Sequence, residues 1–166
     1  MKLDEAKEKF VQTWGSLATS WGINRTMAMV HALLLISQEP LSTDDVMEQL
    51  VISRGNANMN IRELMDWGIV KKELKIGDRK EYFVADKDIW TVFKHIVKER
   101  RKRELEPVIN SLESLKNVED NTEESKAFKE LMDNLLGVTT KANVLLDLAV
   151  KSDENWMMNK LLKLLS

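Results

Sequence analysis

The sequence contains no cysteine among its 166 residues, which excludes disulfide bonds, thiolate catalysis and cysteine metal sites. Only two prolines and six glycines are present. Together with the many Leu, Met, Lys and Glu residues, this scarcity indicates a mostly helical chain. No apolar run approaches the roughly 18 residues of a membrane span, and the N-terminal residues lack the hydrophobic core of a signal peptide. We therefore expect a cytoplasmic protein without a membrane partner.

Residues suited to catalysis are also scarce. The two histidines, His31 and His95, are far apart, and no Gly-rich phosphate loop or paired histidine–carboxylate motif is present. His31 lies in the apolar run 27–36, where a buried, hydrogen-bonded core histidine is a commoner finding than a metal ligand. The acids Asp44 and Asp45 are explained as helix N-terminal charges. The sequence therefore predicts no enzyme, no metal site and no cofactor.

The charges are distributed unevenly along the chain. Residues 1–103 contain 18 Lys and Arg against 15 Asp and Glu, a net charge of +3. Residues 104–166 contain 7 against 12, a net charge of −5, which gives the −2 of the whole chain. A basic front and an acidic back are typical of a DNA-binding protein with a separate assembly region.

The most informative segment is a predicted helix over residues 53–67. Ser53 is a good N-cap, and an apolar stripe follows at helical spacing, formed by Ala57, Ile61 and Leu64. The other face carries Arg54, Asn56, Asn58, Met59 and Arg62. Asn can pair bidentately with adenine and Arg with guanine, so this face suits the DNA major groove. An ordinary amphipathic helix is the alternative, although three Asn within five residues are unusual because Asn is a poor helix former.

A shorter helix is predicted just before this segment. Residues 42–45 (Ser-Thr-Asp-Asp) supply caps and first-turn acids for a helix over 45–50. Residues 51–52 then form a tight turn. Two short helices joined in this way, the second one polar, form the helix-turn-helix pattern.

A hairpin rich in lysine and arginine is predicted to follow. Its strands cover 69–76 and 80–85, and Gly77–Asp78 form the turn between them. A hairpin in this position is the wing of a winged helix. Arg79 and Lys80 beside the turn either reach DNA phosphates or belong to a solvated sheet edge.

The remaining segments are predicted to be mainly helical. Helices are expected over 2–21, 24–37, 87–115, 126–150 and 152–165, with a polar loop at 116–125. The first helix carries Phe10, Trp14, Leu17 and Trp21 on one face. Pro107 is expected to disturb the third helix, and Gly137 to kink the fourth.

The predicted fold class is mainly α with a small β-hairpin wing: a winged helix-turn-helix plus a helical dimerisation region. The expected domains are an N-terminal helix (1–22) that packs with the dimer or core, the DNA-binding domain (23–97) and a C-terminal dimerisation or regulatory region (98–166). The run 98–103 holds five basic residues and either touches the DNA backbone or forms a solvated helix surface. The apolar last helix must bury its face, and a dimer interface explains it better than a membrane surface.

These parts, in this order, resemble the MarR-type winged-helix transcription regulators and, within them, the GbsR-like branch. The resemblance covers roughly residues 5–105 and is carried by residues 21–25, 41–45 and 53–70, with 77–80 fitting the wing. It implies a homodimer that binds double-stranded operator DNA, usually represses, and in several family members responds to a small ligand. Members of this branch are often associated with choline and glycine betaine metabolism.

The resemblance also places DNA contacts on particular residues. The family's reading-helix contacts fall on Ser53, Arg54, Asn56, Asn58 and Arg62, and its wing arginine falls on Arg79. MarR-type helices often carry a basic residue where this chain has Met59, so an apolar contact to a thymine methyl is expected there. The wing residues Lys71, Lys72, Arg79 and Lys80 are expected to add salt-dependent affinity.

Two further hypotheses remain open from the sequence. A set of aromatic residues could cage a quaternary ammonium ligand such as choline: Trp14, Trp21, Tyr82, Trp90 and Phe93. The alternative is that these aromatic residues form core and dimer contacts. The winged helix could also serve as a protein-interaction module that binds no specific DNA.

Overall fold

Helices make up most of the chain in the computed structural model, which describes residues 1–152. In chain order the elements are α1 (Leu3–Ser20), α2 (Arg25–Ile36), β1 (Leu41–Ser42), α3 (Thr43–Leu50), α4 (Arg54–Asp66), β2 (Val70–Leu74), β3 (Glu81–Ala85), α5 (Ile89–Arg100), a π-helical turn (Arg101–Leu105), α6 (Glu106–Leu115) and α7 (Glu123–Lys151). They divide into two compact units, Met1–Val92 and a second that begins at Phe93, so the division falls inside α5. The helix predicted over 152–165 lies almost wholly outside the described residues.

Helix α2 is at the centre of the first unit because it is apolar on nearly every side. Asn24 caps it by accepting a hydrogen bond from the N–H of Met27 at 3.0 Å. Seven of its twelve residues are buried, and it packs against α1, α3, α4 and β3. His31 is one of the seven and is 3% exposed, as predicted. Its Nε2 atom has no hydrogen-bond partner within residues 1–152, so that nitrogen does not make the expected hydrogen bond.

The C-terminal end of α2 is capped by a lysine that is distant in sequence. Nζ of Lys87 donates to the backbone carbonyls of Leu34, Leu35 and Ser37 at 2.5 to 2.9 Å. These carbonyls are left without partners by the end of the helix, and a cation is favourable at this end of the helix dipole. Lys87 therefore ties the segment that follows β3 to the end of α2.

Helix α1 packs on α2 through small residues. Its buried residues are Val11, Gly15 and Ala18. A Cβ added to Gly15 would lie 2.6 Å from Cγ of Met29, so glycine permits the close approach of the two helices. The aromatic face predicted from the spacing is not the packed one, since Leu17 is 48% exposed and Trp21 is 62% exposed.

The α3–α4 pair forms the predicted helix-turn-helix. Ser42 and Asp45 form a capping box at the start of α3, and the hydroxyl of Ser42, followed by its N–H, holds the pKa of Asp45 below its usual range. Val51 ends α3 in the left-handed region with φ of 53° and is exposed. Ser53 then caps α4 through its side chain, as predicted.

The predicted hairpin is present but belongs to a three-stranded antiparallel sheet in the order β1-β3-β2. The register of the hairpin pairs Val70 with Ala85 and Leu74 with Glu81. Gly77 has a φ of 85° in the connection between the strands, a conformation that glycine adopts without steric cost. The third strand, β1, was not predicted from the sequence, because two residues are too short to show the alternation of a strand.

Two of the predicted helices differ from those in the structure. The helix predicted over 87–115 is interrupted by the π-helical turn, in which the N–H of Glu106 donates to the carbonyl of Arg101. Pro107 has no N–H and its ring would clash with the carbonyl four residues earlier in a regular α-helix, which explains the wider turn at this point. Helix α7 begins at Glu123, three residues before the prediction, and runs through Gly137 to Lys151.

This combination of helices and a small antiparallel sheet confirms the predicted fold class, mainly α with a β-hairpin wing. None of the helices within residues 1–152 is both long and apolar enough to cross a membrane.

Candidate nucleic-acid interface

Helix α4 has one buried side and one solvent-facing side. The predicted apolar stripe is buried and consists of Ala57, Ile61 and Leu64. On the other side Arg54 and Arg62 are exposed, and Met59 is 55% exposed. Because arginine side chains are long and carry a planar fork of donors, this exposed surface can reach and contact a nucleic acid.

The asparagines of α4 are held by neutral hydrogen bonds. Asn58 is half-buried, and its Oδ1 accepts from the hydroxyl of Thr43 in α3 at 3.2 Å. Asn56 is also half-buried, and its Oδ1 accepts from Nδ2 of Asn60 at 2.7 Å. The N–H of Asn56 donates to the capping hydroxyl of Ser53 at 3.3 Å. These bonds restrict the rotation of the two amides before any ligand arrives.

Asn60 is a residue that the sequence analysis missed. It was counted only as one of three close asparagines, but it is 1% exposed and lies on the buried side of α4. The signal that could have identified it is its spacing from Asn56, because polar residues four apart on a helix are close enough to form a hydrogen bond.

Asp44 connects α4 with the wing. Its carboxylate forms an ion pair with Arg54, and its Oδ2 lies 3.4 Å from Nζ of Lys80. The sequence explained Asp44 only as a helix N-terminal charge, whereas the structure adds contacts to residues 10 and 36 positions away. All three side chains are about half exposed, so each pair adds little to stability. The main effect of Asp44 is to offset the positive charges of Arg54 and Lys80, two of the predicted DNA contacts.

Acidic residues also hold the wing together. The N–H of Lys80 donates to Asp78 at 2.9 Å, the hydroxyl of Tyr82 donates to the same carboxylate at 2.7 Å, and both bonds lower the pKa of Asp78, the first more strongly. The bond to Asp78 raises the pKa of Tyr82. Lys72 pairs with Glu81 across the two strands and lowers the pKa of that carboxyl. The wing is thus stabilised by charged, exposed contacts.

Two wing cations remain available for a ligand. Lys71 and Arg79 are exposed, and neither forms an ion pair with another residue of the chain up to position 152. Lys72 and Lys80, by contrast, are paired with Glu81 and Asp44. Of the four predicted wing contacts, Lys71 and Arg79 therefore carry uncompensated charge.

The five aromatic residues of the predicted ligand cage lie on several elements. Trp14 in α1 stacks on Phe10, with ring centroids 5.5 Å apart, and Trp21 follows the end of the same helix. Tyr82 is in β3, where Nζ of Lys75 lies 4.1 Å from its ring centroid. Both Trp90 and Phe93 are in α5. The contacts of Trp14 and Tyr82 are thus made with residues outside the predicted set.

The basic run 98–103 is largely occupied by ion pairs within the second unit. Arg100 pairs with Glu104 at 2.9 Å, Arg103 with Glu99 at 3.4 Å, and Arg101 with Asp147 in α7. The lysines of the run are exposed: Lys98 and Lys102. Three of its five cations are therefore paired with acids of the second unit, and two are not paired within residues 1–152.

A helix-turn-helix followed by a β-hairpin defines this region as a winged helix, and within residues 1–152 no three His, Asp or Glu side chains are grouped to hold a metal. The chain matches no family model. It is similar to the HTH-type transcriptional repressor GbsR of Bacillus subtilis (strain 168), with 23% identity over 111 residues. That match covers 67% of this chain and 61% of the repressor, so it spans less than two thirds of the relative's length.

A solved structure has the same fold. It is a protein described as a transcriptional regulator, and it superposes with a TM-score of 0.57 at 18% sequence identity. The superposition covers 83% of this chain and 95% of that one. At this level of identity the likeness establishes the fold alone.

Proposed function

We propose that this chain is a sequence-specific DNA-binding transcription regulator of the MarR type, in its GbsR-like branch, and that it acts as a repressor. The observation that carries the proposal is the solvent-facing side of α4, where Arg54, Met59 and Arg62 are exposed in a winged helix. A second helix of a helix-turn-helix uses this side to enter the major groove. The similarity to a transcriptional repressor supports the same function.

The proposed DNA contacts divide into two groups. The base-reading group lies on or next to α4 and consists of Ser53, Arg54, Asn56, Asn58, Met59 and Arg62. The phosphate-binding group is on the wing and consists of Lys71, Lys72, Arg79 and Lys80. Base contacts give discrimination between sequences, whereas phosphate contacts give affinity that falls with salt.

The proposed assembly is a homodimer on a pseudo-palindromic operator, with DNA-binding residues in 23–97 and dimerisation residues in 98–166 and the N-terminal helix. Its support is an apolar surface on α7, where large side chains are exposed: Leu131, Leu135, Val138, Leu145 and Leu148. Large exposed apolar patches mark interaction surfaces in soluble proteins. Sedimentation equilibrium at micromolar concentrations measures this assembly, and a monomeric mass would contradict it.

The proposed effector is a small quaternary ammonium compound such as choline, bound by aromatic side chains through cation–π attraction. Its support is the resemblance to the GbsR-like branch. At millimolar concentration choline should quench the tryptophan fluorescence of the protein and weaken operator binding. If choline changes neither signal, this part of the proposal is wrong and the DNA-binding part is unaffected.

The competing function is a winged helix that binds protein. The pairing of Arg54 and Lys80 with Asp44 favours it, because these pairs lower the positive charge of the surface. Selection of bound sequences from a random DNA pool, followed by gel-shift titration at 50 and 200 mM salt, separates the two functions. A regulator should enrich a two-fold symmetric sequence and lose about 10³-fold or more in affinity over this range if it makes at least six phosphate contacts. An interaction module should show no enrichment and no salt-sensitive binding.

A further inference from the structure

Asn60 is a buried polar residue in the middle of α4. Its Nδ2 donates to the backbone carbonyl of Asn56 at 2.8 Å and to Oδ1 of Asn56 at 2.7 Å. Its own Oδ1 is buried and has no hydrogen-bond partner within residues 1–152. A buried acceptor without a partner is unfavourable, and a leucine at this position would avoid it. What Asn60 provides and a leucine would not is the pair of hydrogen bonds to Asn56.

The orientation of both amides follows from these contacts. A backbone carbonyl only accepts hydrogen bonds, so the atom of Asn60 that faces the carbonyl of Asn56 must be the donor Nδ2. The same Nδ2 group also faces the side chain of Asn56. The atom of Asn56 on that side must then be the acceptor Oδ1, because two NH₂ groups would repel one another.

This orientation leaves Nδ2 as the other end of the Asn56 amide. No residue in the described part of the chain accepts a hydrogen bond from it, and Asn56 is half-exposed. We infer that Asn60 is a positioning residue that makes Asn56 a hydrogen-bond donor toward DNA, so that Asn56 contacts a guanine or a thymine. This inference rests on the proposed function of α4 as the reading helix.

The chemistry of the major groove explains the choice of base. Guanine presents two acceptors, N7 and O6, and thymine presents the acceptor O4. Cytosine presents only an amino group, and adenine presents an amino group beside its single acceptor, N7. A donor of Asn56 would meet either amino group unfavourably. The familiar bidentate pair of Asn with adenine needs Oδ1 and Nδ2 to face the base together. In this chain Oδ1 of Asn56 is turned to Asn60 instead.

Asn58 provides an internal contrast. Its Oδ1 accepts from the hydroxyl of Thr43. A hydroxyl can donate as well as accept, so this partner does not fix which end of the Asn58 amide is presented. A restriction to guanine or thymine is therefore expected for Asn56 alone.

The experiment is selection of DNA from a random pool with the full chain and its variants, read as base frequencies at every operator position. Asn56→Ala identifies the position that Asn56 contacts, because preference is lost there. At this position the unmodified protein should favour guanine or thymine over adenine and cytosine by about fivefold, the lower end of discrimination by a good side chain–base contact. Asn60→Leu should reduce that preference to less than twofold and preserve the other positions. Thr43→Val, the matched control, should leave this position unchanged.

A second variant keeps the test independent of the folding of Asn60→Leu, which circular dichroism checks. Asn56→Asp replaces the donors by acceptors and should shift the preference at the same position to cytosine or adenine, which present amino groups. Selection of adenine by the unmodified protein, no preference lost in Asn56→Ala, or an unchanged preference in a folded Asn60→Leu would each overturn the inference. If the unmodified protein enriches no sequence, the proposed function itself is wrong and the inference fails with it.

Discussion

Helix α4 and the wing are held in place by different kinds of contact. The asparagines of α4 are positioned by neutral hydrogen bonds from Thr43 and Asn60, beside a buried apolar stripe. The wing is held by exposed charged contacts, including Lys72 with Glu81 and Asp78 with its neighbours. Exposed ion pairs are screened by salt, whereas neutral hydrogen bonds near a buried surface are affected much less.

This difference indicates how the two regions would divide the work of binding. The helix presents two amides held by hydrogen bonds, beside exposed arginines, which suits discrimination between bases. The wing presents charges whose strength changes with ionic strength, which suits general attraction to phosphates. The two regions should therefore respond differently to pH, to salt and to substitution.

The largest expected effect is a loss of stability at low pH, caused by His31 in α2, the helix against which α4 packs. Burial and, to a smaller extent, the charge of Lys87 lower the pKa of His31 to about 4. The unfolded chain binds a proton at this histidine near pH 6.5, so stability is highest above that pH and is lost as pH falls toward 4. The loss in the free energy of unfolding should be about 3 kcal/mol.

Urea unfolding between pH 7 and pH 4 measures this loss, and His31→Leu is the matched variant that lacks the titrating group. The wing carboxylates Asp78 and Glu81 have lowered pKa values, so they should keep their charge over most of this range. Parallel pH curves for the variant and the unmodified protein would show that His31 is not responsible.

The next largest effect concerns base reading by Arg62. Arg62→Ala should relax the preference at particular operator bases by about 1–3 kcal/mol, because a good bidentate contact contributes that much discrimination. Competition titration against single-base operator variants measures it. A loss of equal size on all sequences would contradict the assignment of Arg62 to base reading.

A smaller and different effect is expected from Arg79. This residue is exposed and unpaired within the described chain, so Arg79→Ala should weaken binding to every sequence alike. It should also make the negative slope of log affinity against log salt concentration less steep by about 0.9, the value for one phosphate contact. If the slope is unchanged while one base position loses its preference, Arg79 reads sequence and the division between helix and wing is wrong.

The smallest effect concerns Asp44, which links the two regions. Asp44→Asn should free Arg54 and Lys80 and raise affinity for non-operator DNA about two- to fivefold, the range of an exposed ion pair. Glu48→Gln is the matched control, because it removes the same charge from an exposed position one turn later in α3, and Glu48 pairs with no cation within residues 1–152. Equal changes in the two variants would show that total charge, and not the release of the two cations, sets the affinity.

Contacts that are close in sequence could be predicted, because they depend on local chemistry. The cap at Ser53 and the turn at Gly77 lie where the sequence places them, and the cap of α3 comes from the predicted segment 42–45, at Ser42. The apolar stripe of α4 was also identified correctly, since helical spacing alone defines it. These features were enough to predict the fold class and the solvent-facing side of α4.

Contacts between distant residues could not be predicted in this way. Lys87 meets the end of α2 across about 50 residues, and Asp44 meets Lys80 across 36. Nothing local distinguishes these side chains from other surface charges. The strand at Leu41–Ser42 was missed for a similar reason, because it exists only through its pairing with β3.

Val51 offers a route to a more heat-resistant protein. Its left-handed backbone conformation is uncommon for a β-branched residue and stores about 1–3 kcal/mol of strain. Glycine adopts this conformation without that strain. The side chain is 89% exposed and forms no part of the solvent-facing side of α4, so its removal leaves no cavity. The substitution Val51→Gly should therefore raise the melting temperature and leave the solvent-facing side of α4 unchanged.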